Sequence, residues 1–295
     1  MDTDLPPYFE NVLDSYARGA HNRCVHLGYY PPNTVSSNWT LQEAQEEFDD
    51  RLLKEAALLP EQKILDVGCG LGGLVDRINS KYNRMDVVGS SNDPRQLEIC
   101  NSIRPRNHNS IAWVEADACV LPFPSGSFDR VFCIEAAFHF GSRRRFYEQA
   151  RRVLKPGGQL ICTDIILRES SIQFPENARC GSDPNANDIE AFTKRSIHSL
   201  LLSAYAPWPD PWYSMASLQK EILEVGLTAP QFQDWTLQTL PSYQGMIPQS
   251  KSQGDHGTRD PMLAALSTLW FLHQSRFLHY LYFSCVKTDG KLRGA

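Results

Sequence analysis

A doubly wound α/β sheet is the fold that this 295-residue sequence predicts, on three observations. Strand-like and helix-like segments alternate from Lys63 to Ile165 at the spacing of successive βαβ units. The first of those strands runs straight into a glycine-rich turn, Asp66-Val67-Gly68-Cys69-Gly70-Leu71-Gly72-Gly73, that opens a helix. Hydrophobic residues make up 42% of the chain, which is enough to bury a sizeable core. The length suits one such domain with insertions better than two full domains.

The elements follow in order. Tyr8 to Arg18 reads as a short helix, and a Gly/Pro-rich loop covers Gly28 to Thr34. Thr40 to Leu59 is helical, because Leu41, Ala44, Phe48, Leu52 and Ala56 recur at three- and four-residue steps. Thr40 can cap that helix, with Glu43 as its capping-box partner. Strands are expected at Lys63–Val67, Asp86–Gly89, Ile111–Glu115, Phe128–Ile134 and Gln159–Ile165. Helices are expected at Leu74–Lys81, Pro94–Ile103 and Arg143–Leu154, the last stopped by Lys155-Pro156-Gly157-Gly158. Beyond Ile166 the pattern is less regular. It gives helices at Asp188–Tyr205 and Ser214–Val225, a sixth strand at Gln231–Leu237, a polar loop at Pro241–Arg259, a helix at Pro261–Gln274 and a last strand at Phe277–Val286. The division this suggests is an N-terminal helical cap (1–60), a ligand-binding core (61–165), a lid insertion with its helix (166–230) and C-terminal strands that complete the sheet (231–295).

Composition excludes several function classes. A net charge of −5 leaves no basic excess for a nucleic-acid backbone, so no nucleic-acid partner is expected. The N-terminus carries acids and prolines where a signal peptide would be basic and then apolar. The longest apolar stretch, Leu263 to Phe283, is interrupted by His273, Gln274, Arg276 and His279, so no membrane span is expected. None of the eight cysteines forms a C-x-x-C pair, and several fall in strand-like runs. The expectation is buried free thiols in a reducing cytoplasm, with neither a metal site nor a disulfide framework. Oligomeric state is left open, a homodimer included.

The glycine turn is ambiguous by itself. Gly68, Gly70 and Gly73 also satisfy the dinucleotide fingerprint G-x-G-x-x-G. Three features decide against a dinucleotide. Asp66 stands two residues before Gly68, where an acid would repel a pyrophosphate. Asp117-Ala118 is followed by Leu121-Pro122-Phe123 and by Gly126-Ser127-Phe128-Asp129. Val153 to Gly158 then feeds the fifth strand. At these residues the chain resembles the class I S-adenosylmethionine-dependent methyltransferases. The likeness is to the branch of sterol and tocopherol C-methyltransferases and natural-product methyltransferases. It runs from about Tyr16 to Ile165, includes His26-Leu27-Gly28-Tyr29-Tyr30, and returns weakly near Asp234-Trp235-Thr236 and Phe277–Val286.

The resemblance implies a Rossmann-like seven-stranded sheet with an antiparallel last strand, and S-adenosylmethionine as cofactor with S-adenosylhomocysteine as product. It implies that Asp66, Gly68 and Gly70, with Cys69 between them, meet the methionine part. Asp117 would accept from the adenine amino group beside Ala118, and Leu121 and Ile134 would be apolar neighbours. Glu135 would lie near the sulfonium. The wider family's ribose-gripping acid at the end of the second strand is missing from Gly89-Ser90-Ser91-Asn92-Asp93. Ser91 and Gln96, with Asn92, are expected to take over. Tyr16, Tyr29 and Tyr30 are candidates to cover the sulfonium or the substrate, since aromatic faces attract cations.

His139, just past the fourth strand, is the candidate general base, and Asp164 at the end of the fifth is the candidate to orient it. Trp208, Trp212 and Tyr243, with Phe174, Tyr205, Tyr213 and Met246, are candidates to line an apolar acceptor pocket. Arg143-Arg144-Arg145 reads as a solvated helix start. The reading is therefore methyl transfer to a small molecule, with a hydroxyl oxygen as first choice and carbon or nitrogen open. For carbon methylation, Glu135 would quench the cation. The competing classes are an NAD-dependent oxidoreductase and a non-catalytic relative of the fold.

Overall fold

The computed structural model describes residues 8–20, 22–32, 38–168, 205–210, 213–246 and 261–288. Among them, seven strands form one sheet in the order β3-β2-β1-β4-β5-β7-β6. The strands are β1 (Lys63–Val67), β2 (Asp86–Ser91), β3 (Ser110–Glu115), β4 (Phe128–Ile134), β5 (Leu154–Leu167), β6 (Gln231–Asp234) and β7 (Leu278–Val286). The neighbours among β1 to β5 pair in parallel. β7 inserts between β5 and β6 and runs antiparallel to both, as the resemblance implied. The helices are α1 (Tyr8–Ala17), α2 (Leu41–Ala56), α3 (Gly73–Lys81), α4 (Pro94–Cys100), α5 (Arg143–Val153), α6 (Met215–Glu224), α7 (Thr236–Thr239), α8 (Ser242–Met246) and α9 (Pro261–Gln274). They contribute to two apolar clusters; one includes Phe48, Leu52, Phe132, Ile161 and Tyr280, the other Val131, Phe146, Tyr147, Leu160 and Phe283.

Local chemistry explains the boundaries. α2 begins with the predicted capping box: Thr40 accepts from the Glu43 N–H at 3.1 Å, and Glu43 accepts from the Thr40 N–H at 2.8 Å. Asp93 caps α4, with Pro94 at the first helical position, and Ser214 caps α6. The sixth strand is shorter than expected. It stops at Asp234, whose carboxylate accepts from the Thr236 N–H at 2.9 Å and starts the short helix α7. The expected polar loop after Pro241 begins instead with the short helix α8. Lys155 to Gly158 is not a helix stop alone. Pairing passes from Phe128 with Leu154 to Arg130 with Gln159, so the run is a bulge at the start of β5, with Gly157 at φ +73°. The expected helix at Asp188–Tyr205, with Phe174 and Trp212, lies outside the described residues apart from Tyr205 itself.

Two expectations about charges are corrected. Arg143 is not solvated; it is 5% exposed and reaches inward from the first turn of α5. There it meets Asp164, which is fully buried on β5, at 2.7 and 3.2 Å. Asp164 is thereby committed to an ion pair and does not orient His139. Its neighbours in the run do stay at the surface, where Arg144 pairs with Glu224. The buried guanidinium also donates to the Asp210 carbonyl at 3.2 Å, and so ties the lid segment to the sheet.

The segment from His26 to Tyr30 docks on α2 and α8. The Tyr29 N–H donates to the Ala44 carbonyl at 2.7 Å and the Gly28 N–H to Ser242 Oγ at 2.8 Å. Approach this close requires glycine at position 28, since an added Cβ would lie 2.5 Å from the Ala44 Cβ and 2.9 Å from its carbonyl carbon.

Two stability predictions follow from this packing. Gly28→Ala should destabilise the chain by about 1–3 kcal/mol through overpacking, read as a lower urea midpoint. Asp164→Ala should cost about 3–5 kcal/mol, because it leaves Arg143 buried without a counter-charge; an unchanged midpoint would refute the ion pair's role.

Candidate active site

The carboxyl ends of β1, β2 and β4 open into one cavity, at the point where strand order reverses between β1 and β4. Its empty volume is about 940 Å³, part of which opens to solvent. The turn after β1 forms its floor. The Gly68 and Cys69 N–H groups both donate to the Ser90 carbonyl, at 2.8 and 3.0 Å, which fastens the turn to β2. The two glycines serve different ends. Both have positive φ, +75° at Gly68 and +52° at Gly70. At Gly68 an added Cβ would strike the Ala136 Cβ at 2.6 Å, so packing requires the glycine. At Gly70 it would meet only Val25, at 3.8 Å, and would project into the space a ligand needs.

Asp66 stands at the end of β1 and is 2% exposed. It faces the cavity, and its carboxylate makes no hydrogen bond among the described residues. Burial pushes its pKa up to about 7; the neighbouring Asp49 adds to the shift and His26 opposes it. A buried acid in this state is a receptor for a cationic group. Burial also raises Glu135, despite opposing contributions from His26, Tyr280 and Leu27. Glu135 has the left-handed φ of +47°, which is strained for a residue with a Cβ. Oε1 accepts from the Leu27 N–H at 2.7 Å and from the Tyr280 hydroxyl at 2.5 Å. This carboxylate therefore binds the N-terminal segment to β7.

Ser91 and Gln96 come together as expected. The Ser91 hydroxyl donates to Gln96 Oε1 at 2.8 Å, and both line the cavity with Asn92, Cys69 and Ile134. Asp117 and Ala118 line an adjoining cavity that shares Gly68, Ser91, Asn92, His139, Phe140 and Pro207 with the first. Asp117 also accepts from the Cys119 N–H at 2.8 Å, which shapes its own turn. His139 lies on the wall common to both cavities. Burial lowers its pKa to about 4; the Pro207 carbonyl opposes that shift and the Arg143 charge adds to it. Its Nδ1 lies 2.9 Å from the Pro207 carbonyl, while the Asp164 carboxylate is taken up by Arg143.

The aromatic candidates divide. Tyr16 does not line the cavity but acts at one remove. Its hydroxyl accepts from Arg23 at 2.7 Å, and the Arg23 guanidinium, which does line it, lies 5.3 Å from the Tyr16 ring. Tyr29 and Tyr30 do not line it: Tyr29 is buried between Arg51 and Trp235, and the Tyr30 backbone pairs with Gln238. Trp208 is packed on Phe138 at 4.7 Å, and Tyr243 bonds His273 Nδ1 at 2.5 Å; neither lines the two cavities described above. Cavity residues that sequence reasoning missed include Phe9, Arg23, Cys24, His26, Phe140 and Pro207, with Val25, Leu74 and Ala136 beside them. Only His26 carried a signal, its place in the His26–Tyr30 motif.

Known proteins agree with this geometry. Residues 65–162 match a family model described as a methyltransferase domain. The 2-methyl-6-phytyl-1,4-hydroquinone methyltransferase of Synechocystis sp. is 30% identical over 79% of this chain and 68% of its own length. The erythromycin 3''-O-methyltransferase of Saccharopolyspora erythraea is 28% identical over 72% of this chain and 75% of its own. The crystal structure of mycolic acid cyclopropane synthase CmaA1, complexed with S-adenosylhomocysteine, matches with a TM-score of 0.71 at 21% identity, over 97% of this chain and all of that one. The fold, the glycine turn over an open cavity and these similarities place the chain in the S-adenosylmethionine-dependent methyltransferase family, among members that act on small molecules.

Proposed function

We propose that the chain methylates a hydroxyl oxygen of a small acceptor, with His139 as general base. The observation that carries this reading is a buried histidine on the wall shared by both cavities, held neutral by its surroundings. With Nδ1 engaged by Pro207, Nε2 is the basic nitrogen, and it can take the proton of an acceptor hydroxyl. The name of the erythromycin relative supports oxygen as the methylated atom.

The cavity fits S-adenosylmethionine. Asp66 gives a buried, unbonded carboxylate for the ammonium, and Arg23 a cation for the carboxylate. Gly70 leaves room for the chain between them. The Ser91–Gln96 pair, with Asn92, would hold the ribose, and Asp117 with Ala118 the adenine, in the adjoining cavity. Ile134 is the apolar wall. When bound, the cofactor supplies a methyl group on a sulfonium leaving group. The protein's own part is alignment and exclusion of water, and alignment can lower such a barrier by about 7–11 kcal/mol. Phe9, Phe140 and Pro207 border the space and shield it.

A second reading, methylation at carbon, rests on Glu135, a buried carboxylate on the same wall that can stabilise a developing cation. The seven described cysteines are all free thiols, which supports a reducing, cytoplasmic setting. Among the described residues, no helix is long and apolar enough to cross a membrane.

His139→Ala should lower kcat by about 10²–10⁴-fold and leave S-adenosylmethionine affinity within about twofold. A full rate in that variant, with loss in Glu135→Gln instead, would favour carbon methylation. Because His139 titrates near pH 4, kcat at saturating S-adenosylmethionine should be flat from pH 6 to 8 and fall below about pH 5 as the ring gains its proton, while cofactor affinity should weaken as the pH falls through about 7, where Asp66 is protonated. Asp66→Asn should weaken cofactor binding roughly 10–100-fold, the worth of one hydrogen bond to a charged group; calorimetry showing wild-type affinity would remove Asp66 from the site.

A further inference from the structure

Beside the cofactor cavity lies a group of side chains that methyl transfer does not use. Cys24, His26 and Asp49 bring a thiol, an imidazole and a carboxylate within 4.8 Å of one another. His26 and Asp49 are both buried. Three observations bear on what they hold.

His26 Nε2 lies 3.2 Å from Asp49 Oδ1, yet neither atom has a hydrogen-bond partner. They stand side by side without pointing at each other, as two donors aimed at a common third point do. Around a tetrahedral ion with bonds of about 2.3 Å to sulfur and about 2.0 Å to nitrogen and oxygen, N···O should be roughly 3.3 Å and S···O roughly 3.5 Å. The observed values are 3.2 Å from His26 Nε2 to Asp49 Oδ1 and 3.7 Å from Cys24 Sγ to the other oxygen, Oδ2, so the two carboxylate oxygens divide between imidazole and thiol, while one ligand atom of each residue lies within 4.8 Å of the others. The other ring nitrogen of His26 is already in use: Nδ1 lies 2.8 Å from the Leu27 carbonyl and donates there, which leaves Nε2 as the ring atom that faces Asp49. A carbonyl partner on the remote nitrogen is the usual orienting contact of a metal-bound histidine.

The surroundings hold this geometry firmly. Gln45 Nε2 donates to the Cys24 and His26 carbonyls at 3.2 and 2.6 Å, and Phe48 stacks on the His26 ring at 4.5 Å. The group also has an entry path. Cys24 and Asp49 border a surface cleft with Asn22, Gly73 and Asp76, while Cys24 and His26 border the main cavity on the other side.

We propose that Cys24, His26 and Asp49 form a three-ligand site for a divalent transition metal of zinc's class, with its fourth position open toward the cofactor cavity. A thiolate, an imidazole and a carboxylate together suit Zn²⁺ better than Mg²⁺ or Ca²⁺, which prefer oxygen donors. The ion would pin the segment around residues 24–26 to α2, and so fix the wall of the cavity that Cys24 and His26 supply. Cysteine spacing alone does not reveal the site, because one ligand comes from a loop, the next two residues on, and the third from a helix.

The test uses the full chain without a metal-binding tag, equilibrated with zinc and then desalted. Elemental analysis should find one zinc per chain, and Cys24→Ser and Asp49→Asn should lose it while keeping the wild-type circular dichroism. Cobalt in place of zinc should give a thiolate-to-metal charge-transfer band that Cys24→Ser abolishes. If either variant fails to fold, X-ray absorption of the zinc-loaded wild type decides, with one sulfur and otherwise light scatterers expected. Folded wild-type protein that retains no zinc and shows no cobalt band would overturn the site and leave His26 and Asp49 as an ordinary ion pair. Neither readout depends on methyl transfer, so failure here leaves the role of His139 standing.

Discussion

Asp66 is the constraint around which the site is arranged. A carboxylate at the end of a central strand, enclosed and without a hydrogen-bond partner among the described residues, destabilises the fold that contains it. The chain tolerates it at the one place where the sheet's strand order reverses and a cavity begins. A ligand with an ammonium group offsets the cost on binding. The neighbouring features belong to the same cavity: the turn after β1 is tied to Ser90, and Gly70 and Arg23 both line the space. A pyrophosphate would meet the same carboxylate as a repulsion, and that separates this glycine turn from its dinucleotide-binding counterparts.

The N-terminal segment contributes differently from what its tyrosines suggest. It supplies polar walls and, through Phe9, an aromatic side, in place of a gate of tyrosines. Arg23 reaches four groups, the Leu71 and Ile99 carbonyls, the Tyr16 hydroxyl and Ser102, and is thereby held at the cavity edge. Tyr29 and Tyr30 turn inward and anchor the same segment to α2 and the α7 region. The aromatic contacts at the cavity come instead from Phe9 and Phe140, with Pro207 beside them.

Legibility follows the range of the interactions. The first five strands, α2 with its capping box, and the glycine turn are specified by residues close in sequence, so periodicity and cap chemistry reveal them. Ser91 and Gln96 belong here too, since a strand end and the next helix bring them together. What sequence reading misplaces depends on partners far away along the chain. Arg143 reads as one of three solvated arginines until Asp164 appears opposite it. Asp164 reads as an orienting acid until that arginine claims it. The sixth strand was drawn too long because the turn at Asp234 is set by one side-chain contact, not by a break in apolar pattern. Cys24 and Arg23 lie in a loop with no period at all, and only the folded chain shows that they face the cavity.

The strained carboxylate of Glu135 has a consequence for the order in which the molecule is completed. It joins Leu27, from near the start of the chain, to Tyr280, on the last strand made. That strand is also the one β5 and β6 need between them. A nascent chain can pair β1 to β4 as they emerge, but it cannot seat the wall carrying Cys24, His26 and Leu27 in its final position until β7 has arrived. The wall of the ligand cavity thus depends on β7 being in place.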